Sequence, residues 1–221
     1  DANSGNFKPD WIQLHHYDYE RIDGQNCLVR EVGDEKKIIP VDIYCGVDPA
    51  SSLSTRADFF VVSAIAVDSE NNKYIVDMYR NRISPAEQPG VIIDMYKKYR
   101  PRRMKVETVG YQEALRVAVR DLMREEDLYI PGLEKGVKPR NSKSERLLSL
   151  VPMFAKKQFY FRPQDLEPQQ EFLSYPKGKH DDVMDAVWTA LDGVKPCRRK
   201  EFNKIDENKR FGKKLLDWMT M

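Results

Sequence analysis

Three apolar stretches rich in β-branched and aromatic residues, Ile38 to Val47, Phe59 to Val67 and Tyr74 to Tyr79, follow one another before any helical spacing appears. Residues of that kind suit a pleated surface with at least one buried face. The first stretch closes on Asp48-Pro49, where proline restricts the preceding residue and removes a ladder donor. A polar loop, Ala50 to Asp58, leads into the second. Between the second and third, Asp68-Ser69-Glu70-Asn71-Asn72 is a turn cluster, so these two should form an antiparallel hairpin. Three antiparallel strands are therefore expected to open the fold.

The spacing then changes. Ser84-Pro85-Ala86-Glu87 offers a helix start, with Pro89 as a second possible start. Ile92, Ile93, Met95, Tyr96 and Tyr99 share a broad helical face that ends at Pro101. A short strand, Met104 to Glu107, precedes a helix with Leu115, Val119, Leu122 and Met123 on one side. Leu128 to Ile130 is expected as a brief strand. Ser142-Lys143-Ser144-Glu145 is a capping box that opens a helix carrying Leu147, Leu148, Val151 and Phe154. Phe159 to Phe161 is a further short strand, Leu166 to Tyr175 a short helix, and Asp181 to Leu191 the last helix. Strands alternating with helices in this order predict an α/β layout with a mixed sheet.

The chain of 221 residues is long enough to bury a full core, and 41% hydrophobic with 33% charged residues is a globular composition. No run of about 18 apolar residues occurs, so no membrane helix is expected. The start lacks the features of a signal peptide and reads as an internal segment of a longer protein. Cys27, Cys45 and Cys197 are odd in number and lack a CxxC spacing, which argues against a disulfide framework or zinc site and for a reducing compartment. The first 40 residues show weak periodicity and read as an arm or linker; residues 41–194 form the domain; residues 195–221 form a basic tail. That tail carries nine Lys or Arg against three acids between Lys195 and Lys214, and ends in the apolar Leu215-Leu216-Asp217-Trp218-Met219. Lys135, Lys138, Arg140, Lys143 and Arg146 form a second basic cluster. Both fit phosphate contacts, and both also fit a solvated surface.

Carboxylates stand where element ends should converge. Asp48 closes the first strand, Glu107 closes the strand after the first long helix, and Asp181-Asp182 opens the last helix with Asp185 one turn on. Three or four carboxylates from separate elements can hold hard divalent cations, and two such ions can hydrolyse a phosphodiester. Each acid also has a plain structural reading. Asp48 suits a turn, Glu107 could answer Arg102, Arg103 and Lys105, and the paired aspartates favour a helix start by about 0.3–1 kcal/mol each. His180 could relay a proton or simply sit in an exposed loop.

Gly46-Val47-Asp48-Pro49-Ala50, Ala57-Asp58-Phe59, Val106 to Gln112, Lys143 to Leu147, Phe159 to Phe161 and Leu173 to Ala186 together resemble the nuclease domain of the large terminase subunit of tailed bacteriophages. The resemblance spans roughly Val41 to Leu191. It implies an RNase H-like mixed sheet, three antiparallel strands followed by parallel ones, flanked by helices. It also implies a metal-dependent endonuclease that cuts concatemeric double-stranded DNA during genome packaging. Asp48, Glu107 and Asp182 would be catalytic, and these three with Asp181 and Asp185 would ligate two Mg²⁺ or Mn²⁺ ions. Lys143, Arg146, Lys179 and His180 would meet DNA. An upstream ATPase domain, to which the first 40 residues would be the link, the portal and the small terminase subunit are the partners it implies. The setting would be the procapsid in the host cytoplasm. The motor's GxxxxGK[ST] string does not occur in this chain. A Holliday-junction resolvase or transposase with the same acids, and a non-catalytic docking module, are the alternatives.

Overall fold

A computed structural model describes residues 6–33, 35–50, 59–107, 112–133 and 141–198. The strands are β1 (Gln13–Leu14), β2 (Asp18–Ile22), β3 (Gln25–Val32), β4 (Glu35–Pro40), β5 (Asp42–Asp48), β6 (Phe60–Val67), β7 (Lys73–Asn81), β8 (Arg103–Val106) and β9 (Phe159–Phe161). The helices are α1 (Gln88–Tyr99), α2 (Gln112–Glu125), α3 (Lys143–Leu148), α4 (Val151–Ala155), α5 (Leu166–Ser174) and α6 (Asp182–Leu191). Loop residues 51–58, residues 108–111, Lys135, Lys138, Arg140 and the tail from residue 199 lie outside the described residues. None of the described helices is long and apolar enough to cross a membrane.

Six strands form one mixed sheet in the order β1-β9-β7-β6-β5-β8. The three expected antiparallel strands are its centre: β5 pairs β6, and β6 pairs β7 across the Asp68–Asn72 turn. β8 runs parallel to β5, with Val106 opposite Val47. β9 runs parallel to β7, and β1 parallel to β9. Strand alternation divides the core in two. Ile43, Cys45, Val47, Val62, Ala64, Met104 and Val106 pack under α1 and α2. Val61, Ile65, Ile75, Phe159 and Phe161 pack against α3, α4, α5 and α6 on the other face.

Several expectations change. Within the expected arm, the described residues form strands: β1 is an edge strand of the main sheet, and β2, β3 and β4 form a second antiparallel sheet. Phe7 is buried there too, edge-on to Phe154 at 4.9 Å. The stretch from Ile38 to Val47 divides at Val41, whose amide donates to Asn26 O at 3.0 Å as the chain passes between sheets. The helix expected after the capping box is two helices, because Pro152 begins a new one and has no N–H to continue the old. Leu128 to Ile130 forms no strand; one bond, Met104 N to Pro131 O at 2.8 Å, is made where Pro131 itself cannot donate. The Ser142 capping box forms as expected. Glu87 accepts from Ser84 N and Oγ, so the earlier start signal makes a turn and α1 begins at Gln88. All three cysteines are free and buried.

The contact that places the site is between β5 and α6. A Cβ at Gly46 would fall 2.0 Å from Ala186 O and 2.3 Å from Ala190 N, so only glycine lets the helix backbone lie this close. Ser63, opposite Gly46 in the ladder, donates its hydroxyl to Ala186 O at 3.0 Å. Gly46→Ala should therefore destabilise the fold by about 1–3 kcal/mol or more through overpacking against backbone, read as a lower urea midpoint. An unchanged midpoint would show that α6 can move away freely.

Candidate metal centre

Successive residues of a strand point to opposite faces, so Asp48 shares the α6 side of the sheet with Gly46. On the neighbouring strand Arg103, Lys105 and Glu107 alternate with the buried Met104 and Val106, and they too face α6. The helix runs antiparallel to both strands. Its C-terminal end meets cations: Lys105 Nζ donates to Asp192 O at 3.0 Å and pairs with the Asp192 carboxylate, while Arg103 donates to Asp192 O. Its N-terminal end, which carries partial positive charge, brings Asp182 and Asp185 to Asp48 and Glu107. The helix dipole thus sorts the charges along one face.

The acids have distinct partners. Glu107 is 8% exposed, and its Oε2 accepts from Arg146 Nη1 at 3.1 Å. Arg146 is 7% exposed, lies over the Trp188 ring, and also reaches Asp185 Oδ1 at 3.7 Å. Lys143 Nζ bridges Asp181 Oδ1 and Asp185 Oδ2, each at 2.7 Å. Asp182 Oδ2 accepts from Phe59 N at 3.2 Å and lies 3.6 Å from His180 Nδ1. Lys179 is exposed at the rim. Asp48 makes no ion pair with a described lysine or arginine, and burial together with Asp185, Asp182 and Glu107 pushes its carboxyl well above the usual range. Burial likewise raises Asp185, opposed by Lys143, to about 6. Lys143 is raised despite burial by its bonds to Asp181 and Asp185.

All five acids expected to ligate metal therefore gather at one end of α6. Lys143 and Arg146, expected to face DNA, turn into the acids in this structure. As the side chains stand, no three His, Cys, Asp or Glu groups among the described residues close around a common point. The two basic side chains occupy the space between them. The donor chemistry nonetheless fits a hard divalent cation, since every group is a carboxylate oxygen. Asp185 Oδ1 is buried without a hydrogen bond, and burial beside three other acids disfavours the ionised form of Asp48. Both are sites where a cation would relieve an unfavourable burial.

A model of the terminase RNaseH-like domain matches residues 45–192. The chain belongs to that family. Its fold is RNase H-like, as solved structures also show. The magnesium-bound large terminase nuclease of thermophilic phage G20c matches with a TM-score of 0.58 and 18% identity, over 88% of this chain and 100% of that one. The cobalt-bound form of the G20c protein matches with 0.58 and 19%, over 88% and 100%. The large terminase nuclease domain of Thermus phage P74-26 matches with 0.53 and 17%, over 90% and 100%. No curated protein matches in sequence.

Two residues of the site escaped the sequence reading. Phe59 contributes only a backbone amide, which composition cannot reveal. Glu171, on α5, accepts from Val183 N and Met184 N at the start of α6. Burial, partly offset by those amides, raises it to about 7. Asp181 hid it, because an aspartate before a helix already looks like the cap.

Two consequences are measurable without metal. Asp185 and Glu171 keep their protons to higher pH folded than unfolded, so the native state binds more protons between the unfolded and folded pKa values. Stability should then fall by on the order of 2 kcal/mol as pH rises from about 4 to about 7. Urea unfolding in chelator at pH 5 and 7.5 tests this; a midpoint that rises with pH would contradict it. Arg146→Met should cost about 3 kcal/mol by leaving Glu107 buried and unpaired, and adding Glu107→Gln should recover much of that. A double variant no more stable than the single one would show that the pair is not the cause.

Proposed function

We propose that this domain is the metal-dependent endonuclease that cuts concatemeric double-stranded viral DNA, with little sequence preference, during genome packaging. The observation that carries the reading is the convergence of Asp48, Glu107, Asp182 and Asp185 at the positive end of α6, where the mutual repulsion of the acids and burial outweigh the attraction of Lys143 for Asp48. Two Mg²⁺ or Mn²⁺ ions would supply Lewis acidity and neutralise charge developing at the scissile phosphate. Asp48, Glu107 and Asp182 would hold them, with Asp181 or Asp185 as further ligands.

The remaining residues act on the substrate or on the acids. Lys143 and Arg146 hold the carboxylates apart in the metal-free state. With those oxygens engaged by divalent cations, Lys143 would be free to turn outward to a phosphate, and Arg146 could present its guanidinium to one from beside Trp188. Lys179, exposed at the rim, and His180, beside Asp182, would meet the backbone on the opposite side. Such contacts give affinity without base readout, which accords with low sequence preference. Family membership supports an upstream ATPase domain in the full-length protein. The portal and small terminase subunit, and action at the procapsid in the host cytoplasm, belong to the same proposal.

Plasmid cleavage tests the reading. The chain should nick and linearise DNA with Mn²⁺ or Mg²⁺ and stop when the ions are chelated. Asp48→Asn should slow cleavage on the order of 10³-fold, the several kcal/mol that metal assistance supplies. Full activity in that variant would remove Asp48 from the chemistry. A strong preference for branched DNA would indicate a resolvase instead.

A further inference from the structure

The first turn of α6 carries the acids, yet its own N-cap does not secure it. Asp181 adopts φ −141 and ψ 14 with no side-chain cap hydrogen bond, and its carboxylate accepts from Lys143 instead. Asp182 is engaged with Phe59 N. The amides that a local cap would satisfy turn to another helix: Val183 N donates to Glu171 Oε1 at 2.7 Å, and Met184 N to the same oxygen at 3.2 Å. Glu171 is 6% exposed, and its Oε2 faces Arg80 Nη2 at 3.9 Å.

We propose that Glu171 is a positioning residue, an external cap that fixes the first turn of α6 so that Asp182 and Asp185 present their carboxylates to a divalent cation. The assignment rests on reading the acids as a cation site. Amides at a helix start need acceptors, and a carboxylate supplies the strongest. Placing that acceptor on α5 leaves Asp181 and Asp182 available to other partners. It also ties the helix start to the wall formed by α5 rather than to the flexible choice of a local side chain. Without Glu171, the two amides would draw on the nearest carboxylates, and those are the proposed ligands themselves.

The test measures Mn²⁺ affinity of the whole 221-residue chain by titration calorimetry, at a temperature where each variant is folded. Partners that orient metal ligands change affinity by about 10–100-fold, so Glu171→Ala should weaken Mn²⁺ binding by at least about tenfold. Glu171→Gln keeps one acceptor oxygen and should weaken it by only about threefold. Ile92→Ala, in the core on the opposite face of the sheet, supplies a comparable loss of stability and should leave affinity within about twofold. Affinity unchanged in a folded Glu171 variant, or reduced equally by Ile92→Ala, overturns the assignment and leaves Glu171 a purely structural cap. If Glu171→Ala does not fold, Glu171→Gln decides on the same criterion. Failure of the unsubstituted chain to bind Mn²⁺ overturns the cation reading first, and the role of Glu171 with it.

Discussion

The absent side chain at Gly46 is the constraint on which the site depends. Because nothing projects there, α6 lies with its backbone against β5, and Ala186 and Ala190 come within a methyl group's reach of the strand. The helix start then falls two strand residues further on, beside Asp48. With β8 in parallel register, Glu107 follows one residue beyond the Val47–Val106 pair. Three acids distant in sequence meet because a single position is small and two strands are aligned. No direct attraction between them could achieve this, since like charges in a half-buried space repel.

What offsets that repulsion is arranged in layers. The dipole of α6 points its positive end at the acids and its negative end at Arg103 and Lys105. Arg146 and Lys143, both on α3, insert between the carboxylates. Their placement depends on the Ser142 capping box, which starts α3 where its first turn faces α6. Still the balance is incomplete, because Asp48 has no ion pair with a described base and Asp185 retains a buried oxygen without a hydrogen bond. A fold selected only for stability would place apolar residues here, as buried charge is a poor source of stability.

Much of this was legible in the sequence. The three central strands, the turn at Asp68–Asn72, the capping box and the acids at element ends all follow from local rules that the fold obeys. The misreadings share a cause. The turn end of the β3–β4 hairpin is exposed on both faces and charged, with Arg30, Glu31, Lys36 and Lys37, so no alternation marks it and it reads as polar linker. Pro152 falls inside the helix expected after Ser142 because the apolar spacing, from Leu148 to Val151 and Phe154, continues across it. Arg146 and Lys143 look like surface bases because nothing local records that α6 will pass over them. Sequence periodicity reports which face of an element is apolar, not which element will cover it.

The same limit explains why basic side chains at such a site are ambiguous. A guanidinium that satisfies Glu107 and one that grips a phosphate are chemically the same group, since carboxylate and phosphate present similar oxygens to it. Arg146 stacks on Trp188, which would hold the plane of its fork against either partner. Lys143 is a point charge on a flexible stem, half-exposed, and can turn outward at little cost. The pair therefore differ in what they can do when a stronger cation competes for the acids: the lysine leaves readily, and the arginine stays near its ring. Asp181, paired with Lys143, would then become available before Glu107, paired with Arg146, while Asp185 is shared between the two bases.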